Sequence, residues 1–289
     1  MREPARIDMS RKVVAITGAN TGIGLATARA LADQGATVLA CGRNAAKLEE
    51  AAASIRDATT SARVETFVAD LASIDQVRGL ARAIADRTER LDALINNAGV
   101  GVDQRTETAD GLELTFAVNV MAPYLLTTSL LPLLIASAPA RVLTVSSAVH
   151  ASVKALDLDD LQSTKSYRWT DVYARAKLAS ILVSNELARR LDGTGVTSNA
   201  LHPGVIATDF GGHGDLHGAN ALLFRVLKWF LPGPEVGART SLFMATAPEL
   251  DGVTGAYVDG LAQKAPSVLA RDEKLARALW DRLERIAPP

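Results

Sequence analysis

Between residues 13 and 34 the chain passes from a β-branched apolar run, through a glycine-rich turn, into a helical pattern. Val13-Val14-Ala15-Ile16-Thr17 has no polar alternation, which suits a strand buried on both faces of a parallel sheet. Gly18-Ala19-Asn20-Thr21-Gly22-Ile23-Gly24 follows directly, and Leu25 to Gln34 then carries helical spacing. Glycines let a backbone approach a pyrophosphate, and the amino end of the following helix offers unpaired N–H groups and a positive dipole end. Strand, glycine turn and helix together make Gly18, Asn20, Thr21, Gly22, Ile23 and Gly24 candidate contacts for a dinucleotide.

The same alternation of short strands and helices continues. Ala36 to Cys41 reads as a second strand, with a helix over Ala45 to Asp57. A site for NAD usually has an acidic residue about 20 positions past the glycines, on the ribose 2′-hydroxyl. Here Gly42-Arg43 stands instead, and a guanidinium pairs a 2′-phosphate, so Arg43 points to NADP(H) over NAD(H). Arg63 to Ala69 is a third strand closed by Asp70-Leu71. Asp70, at the carboxyl end of a strand, faces the expected ligand crevice and also stands where it can cap a helix starting near Ser73. Leu91 to Ile95 is a fourth strand, and Asn96-Asn97-Ala98-Gly99 after it suits a tight turn close to a cofactor. A long helical pattern over Leu112 to Ala138 contains Asn119 and Pro123. Pro123 removes the backbone bond to the Asn119 carbonyl, leaving that oxygen for a water or another partner. Arg141 to Val145 is a fifth strand that delivers Ser146-Ser147 to the sheet edge.

The next helix, from about residue 170 to Leu191, carries Tyr173 and Lys177 one turn apart on the same face. A free tyrosine has a pKa near ~10, so proton transfer at neutral pH calls for a nearby cation such as Lys177. Val196 to Leu201 is a sixth strand ending in His202-Pro203-Gly204-Val205-Ile206-Ala207-Thr208. Regular alternation then stops: the glycine- and histidine-rich stretch from Asp209 and the apolar run Ala221 to Leu231 read as a substrate lid over about 209–235, with Leu222, Phe224 and Trp229 suggesting a hydrophobic substrate. A helix (Val236 to Ala247), a last strand (Gly255 to Asp259) and a terminal helix (Asp272 to Ile286) complete one expected domain, a doubly wound α/β fold with a parallel sheet of about seven strands.

Composition bounds the rest. With 289 residues, 31 basic and 32 acidic groups and a net charge of −1, the chain offers no electrostatic case for nucleic acid. The single cysteine, Cys41, excludes an internal disulfide, and no uninterrupted apolar run reaches the roughly 18 residues of a spanning helix. A cytoplasmic protein with no transmembrane segment is expected. His213 and His217 have helical spacing but no third ligand, so no metal is expected.

Thr17-Gly18-xxx-Gly22-Ile23-Gly24, Asn96-Asn97-Ala98-Gly99, Asn119, Ser147, Tyr173-xxx-Lys177 and Pro203-Gly204, in this order, closely resemble the short-chain dehydrogenase/reductase family. Cys41-Gly42-Arg43, the wide gap from Ser147 to Tyr173, Lys177-Leu178-Ala179-Ser180-Ile181-Leu182 and His202-Pro203-Gly204 are most similar to its retinol dehydrogenase and WW-domain-oxidoreductase-like branch, which mostly uses NADP(H). The resemblance implies carbonyl–alcohol interconversion on a small molecule. Tyr173 would be general acid/base and Ser147 would hydrogen-bond the reacting oxygen. Lys177 would bind the nicotinamide ribose and depress the Tyr173 pKa, and Asn119 would hold a water linking Lys177 to solvent. It further implies that Asn97, Ala98, Gly99, Pro203, Gly204 and Val205 line the cofactor and that Thr208 bonds its carboxamide. Relatives often pair through the helices at 112–138 and 170–191, so a dimer or tetramer is one expectation; the branch also includes monomers. A sensor that binds dinucleotide without turnover, and an enzyme docked on a membrane through Ala221 to Leu231, are the rival readings.

Overall fold

Seven consecutive buried residues, Val196–His202, run through the middle of a sheet flanked by strands that are themselves mostly buried, which suits the short apolar segments of the chain. The computed structural model describes residues 4–59, 62–204 and 232–288. Within them the strands are β1 (Val13–Thr17), β2 (Thr37–Gly42), β3 (Arg63–Val68), β4 (Ala93–Asn96), β5 (Ala140–Val145), β6 (Val196–His202), β7 (Tyr257–Asp259) and β8 (Ala262–Lys264). They form one eight-stranded sheet in the order β3-β2-β1-β4-β5-β6-β7-β8. All neighbours are parallel except β7 and β8.

Successive side chains of each strand enter opposite layers. Ala15, Leu39, Leu94, Val142 and Ala200 face one layer, built by α3 (Ile74–Arg87), α4 (Leu114–Ala136), α5 (Trp169–Arg190) and α7 (Glu273–Ile286). Ile16, Val38, Ala40, Ile95, Leu143 and Leu201 face the other, built by α1 (Gly22–Asp33), α2 (Ala45–Ala58) and α6 (Pro234–Thr246). Chain order runs outward from β1 through β2 to β3 and then resumes on the other side with β4. The reversal lies between β1 and β4, where open α/β sheets bind ligands.

The sheet has one strand more than the sequence led us to expect, and it is antiparallel. β8 is three exposed residues, Ala-Gln-Lys, with neither apolar alternation nor β-branched content to mark it. It pairs back onto β7 with Tyr257 opposite Lys264. Pro234 and Glu235, assigned above to the end of a lid, open α6.

α4 is long and apolar enough to cross a membrane by length and composition alone, with a mean hydropathy of 1.6 in its most apolar window. Its surroundings account for that character. Tyr124, Leu125, Leu126, Leu130 and Leu134 are all at most 1% exposed, packed beneath the sheet. Residues Ala117–Met121 form a π-helical turn, and the Asn119 carbonyl, relieved of its helical partner by Pro123, accepts the Ser180 hydroxyl at 3.1 Å. α7 shows the plainest amphipathic spacing, burying Ala276, Leu279, Trp280 and Leu283 behind an Asp272 cap. Trp280 meets Tyr124 of α4 edge-on at 5.0 Å and carries the Arg190 guanidinium of α5 at 4.7 Å.

At the opposite end of the sheet from the switch point, Asp92 anchors β1 and β4. Only 5% exposed, it accepts from the Val13 N–H at 2.9 Å, from Lys12 Nζ at 2.9 Å and from Arg90 Nε at 2.8 Å. Burial pushes its carboxyl up, but Arg90, the Val13 amide and Lys12 together outweigh that and hold it below the usual carboxylate value. A lowered folded pKa means that its stabilisation is present above the unfolded value of 3.8 and is lost as pH falls through the folded one. Asp92→Asn is expected to cost about 2 kcal/mol at neutral pH, with the gap from wild type closing in acid. Denaturant unfolding at neutral pH and again in acid checks this; an equal gap at both would rule out the charge as the cause.

Candidate active site

The carboxyl edge of the sheet opens into a cleft of about 780 Å³ that spans the switch point. One wall is the glycine turn, and backbone proximity shapes it. A Cβ placed on Gly24 would lie 2.1 Å from the Gly18 carbonyl oxygen, so the first turn of α1 sits directly against the end of β1. Gly22 has φ +56°, in the left-handed region that favours glycine. The Thr21 side chain makes no capping bond and no acidic residue occupies the first turn of α1, so the positive helix end faces the cleft uncompensated. Gly18, Asn20, Thr21, Gly22, Ile23 and Gly24 all line this wall.

Thr17 and Asn97 stitch that wall to β4. Thr17 Oγ1 accepts from the amides of Asn97 and Ala98, both at 3.0 Å, while Asn97 Nδ2 donates to the Thr17 carbonyl at 2.8 Å. Asn97, Ala98 and Gly99 reach the cleft in consequence, although the Asn97 amide is spent on the protein itself. The sequence reading placed Thr17 in the glycine motif but gave it no role, because a hydroxyl at the end of a strand does not show its partners.

Beyond the ends of β2 and β3 the cleft is lined by Arg43, Asp70 and Leu71. Arg43 is exposed and makes no hydrogen bond or ion pair among the described residues, and Lys47, one helical turn on, lines the same region. Among the described residues Asp70, after β3, is the one carboxylate lining the cleft, and the lining residues at the end of β2 are Cys41, Gly42, Arg43 and Asn44. Lys47 was missed because nothing in the sequence told α2's lining face from its solvent face. Asp70 does not cap α3: Ser73 does, and Asp70 Oδ1 accepts from the Ala72 amide at 3.0 Å. The physical reason is distance along the chain, since a cap bonds the amide two or three residues on, and Ser73 is the one so placed.

At the other end, β5 delivers the serine pair. Ser146 is 2% exposed and donates to the Lys177 carbonyl at 2.7 Å, which removes it from the chemistry. Ser147 is partly exposed at the cleft, with its Oγ accepting a long 3.4 Å bond from the Val149 amide. Tyr173 and Lys177 line the cleft from α5, as do Trp169 and Thr170, one turn earlier on the same face. The latter two were legible by helical period and were passed over. Pro203, Gly204 and His202 line it from β6, while Val205, Thr208, His213, His217 and residues 209–231 of the expected lid lie outside the described residues.

Asn119 stands behind this surface. Its Nδ2 donates to the carbonyls of Val100 at 2.8 Å and Thr115 at 2.7 Å. Its Oδ1 is buried without a hydrogen-bond partner among the described residues. A Cβ on Gly99 would meet that Oδ1 at 2.7 Å and Lys177 Nζ at 3.2 Å, so both polar groups converge on the bare face of one glycine.

Electrostatics correct one expectation. Lys177 is 3% exposed, its Nζ donates to the Val145 carbonyl at 2.9 Å, and burial lowers its pKa from 10.5 to about 8. Its ammonium stands 5.5 Å from the Tyr173 ring centroid. Burial raises the Tyr173 phenol instead of Lys177 depressing it. The ammonium at that range does not offset the loss of water around a phenolate. Cys41, on the floor, is pushed up to about 12 by burial and behaves as the small apolar residue expected of a strand. Among the described residues no three His, Cys, Asp or Glu stand close enough to hold a metal.

A glycine turn against an uncapped helix end, at the switch point of a doubly wound sheet and beside a Tyr–Lys helix, defines a dinucleotide-dependent oxidoreductase. Comparison with known proteins agrees: the family described as short chain dehydrogenase matches residues 12–215. The chain belongs to that family. Retinol dehydrogenase 13 from Homo sapiens is 43% identical over 287 residues, covering 98% of this chain and 86% of that protein. WW domain-containing oxidoreductase from Pongo abelii is 39% identical over 289 residues, covering 96% of this chain and 69% of that protein. The crystal structure of an uncharacterized Mycobacterium Paratuberculosis protein superposes with a TM-score of 0.77 at 31% identity, covering 98% of this chain and 95% of that one.

The Lys177 shift has a thermodynamic consequence. Between pH 8 and 10.5 the unfolded chain holds a proton on Lys177 that the folded chain has lost, so stability rises with pH through that window. Relative to Lys177→Met, wild type is expected to gain on the order of 1–3 kcal/mol from the bottom of the window to the top. Paired unfolding curves at its two ends measure this, and a constant difference would place the lysine in contact with water.

Proposed function

We propose that the chain is an NADP(H)-dependent oxidoreductase that interconverts a carbonyl and an alcohol on a hydrophobic small molecule. The observation that carries this reading is the convergence of Ser147, Tyr173 and Lys177 on one cleft whose far end is the glycine turn. When bound, the nicotinamide supplies or accepts the hydride. The residues would supply the rest: α1's amino end and the bare glycine backbones would seat the pyrophosphate, and Arg43, with Lys47 near it, would pair a 2′-phosphate.

Ser147 donates its hydroxyl hydrogen to the reacting oxygen, and Tyr173 exchanges a proton with it. Tyr173 gives its proton to the carbonyl oxygen in reduction and takes one from the alcohol in oxidation. Lys177 would offer donors to the ribose of a bound cofactor, and the Asn119 Oδ1 beside it, with no partner among the described residues, is suited to a bridging water. Val118, Val149 and Trp169 give the cleft an apolar lining, and the names of the retinol dehydrogenase relatives support a hydrophobic alcohol or aldehyde.

The test is Tyr173→Phe assayed with NADPH against a panel of aldehydes and ketones that includes retinaldehyde. Turnover is expected to fall about a hundredfold or more with NADPH affinity nearly unchanged. A variant with wild-type turnover would remove Tyr173 from the mechanism. A wild-type protein that binds NADPH yet reduces nothing would favour a sensor.

A further inference from the structure

We infer that His150 is a positioning residue that aims the Ser147 hydroxyl, and this rests on the reading of Ser147 as the group that bonds the reacting oxygen. Ser147 sits where β5 gives way to a single 3-10 turn, Ala148–Ser152, and so lacks the ladder of bonds that holds the strand behind it. What holds its peptide plane is His150. The Ser147 carbonyl accepts from the His150 amide at 3.2 Å and lies 2.7 Å from its Nδ1. On the far side of the ring, Nε2 accepts from the Ser267 amide at 3.1 Å.

These partners settle the tautomer. An amide N–H only donates, so Nε2 is the unprotonated nitrogen, and Nδ1–H donates to the Ser147 carbonyl. The ring is 3% exposed and packs edge-on to Tyr257 of β7 at 5.1 Å, which closes off rotation. One side chain thus ties the peptide of the serine to residue 267, some 117 positions away in sequence. His150 touches no reacting atom in this scheme. It acts through Ser147, whose Oγ accepts a long 3.4 Å bond from the Val149 amide. Misplacing a reacting group by about 1 Å costs on the order of a hundredfold in rate, so a serine at the head of one short turn gains from a second tether.

The experiment compares wild type, His150→Phe, His150→Asn and Ser147→Ala in NADPH-dependent reduction of retinaldehyde, a medium-chain aldehyde and benzaldehyde, with NADPH affinity measured by calorimetry on each. Phenylalanine keeps the ring against Tyr257 and removes both hydrogen bonds, and kcat is expected to fall about tenfold or more with NADPH affinity held within about twofold. Asparagine, whose amide can donate to the Ser147 carbonyl from the Nδ1 position, is expected to recover most of the loss. Nitrogen-15 spectra of the wild-type imidazole, which need no substrate, are expected to show the Nδ1–H tautomer. Wild-type kcat in His150→Phe alongside an inactive Ser147→Ala, an unrecovered His150→Asn, or an Nε2–H tautomer overturns the inference. Full activity in Ser147→Ala overturns the reading of Ser147 on which it rests, and the two failures are told apart by that variant.

Discussion

The arrangement of this protein's working edge depends on how closely two backbones approach at the end of β1. With Gly24 set against the Gly18 carbonyl at a distance no Cβ tolerates, α1 begins directly above the strand, and its amino end is left open toward the cleft. That approach also sets where β4 ends, because Thr17 and Asn97 bond each other's backbones across the switch point. The cost is a set of unpaired N–H groups and an uncompensated dipole at one spot, an arrangement that favours an anion there.

A second constraint works at the other end of the cleft, where burial sets the protonation of two groups in opposite directions. Tyr173 keeps its proton and Lys177 is drawn toward losing one. The protein tolerates the buried ammonium by giving it the Val145 carbonyl and by placing the Asn119 amide oxygen nearby, both gathered on the open side of Gly99. Ser146 then ties the lysine's own backbone to β5, so the serine pair divides its duties between structure and chemistry.

Much of this was legible in the sequence, because the fold is carried by signals with short range. Val13–Thr17, the glycine turn and the helix after it needed only their order, and the amphipathic spacing of Leu279, Trp280 and Leu283 needed only a period. What was illegible depended on distance or on depth. β8 has no apolar face to betray it, since it lies at an exposed edge. The Ser73 cap beat Asp70 by a matter of three residues, and the partner of the Asn119 carbonyl, Ser180, lies on another helix. The phenol of Tyr173 was expected to fall because Lys177 is four residues away; how much water burial removes cannot be read from spacing. The sequence neighbours of His150 give no hint of Ser267, which lies 117 positions away.

The measurement that tests the central claim, that this cleft is built for a 2′-phosphorylated dinucleotide, is calorimetric titration of the full chain with NADPH and, separately, with NADH. The account predicts that NADPH binds at least about tenfold more tightly, a difference of about 1.4 kcal/mol, through Arg43 at the end of β2. NADH binding as tightly or more tightly would contradict it, and Arg43 would then be an exposed cation with no part in choosing the cofactor.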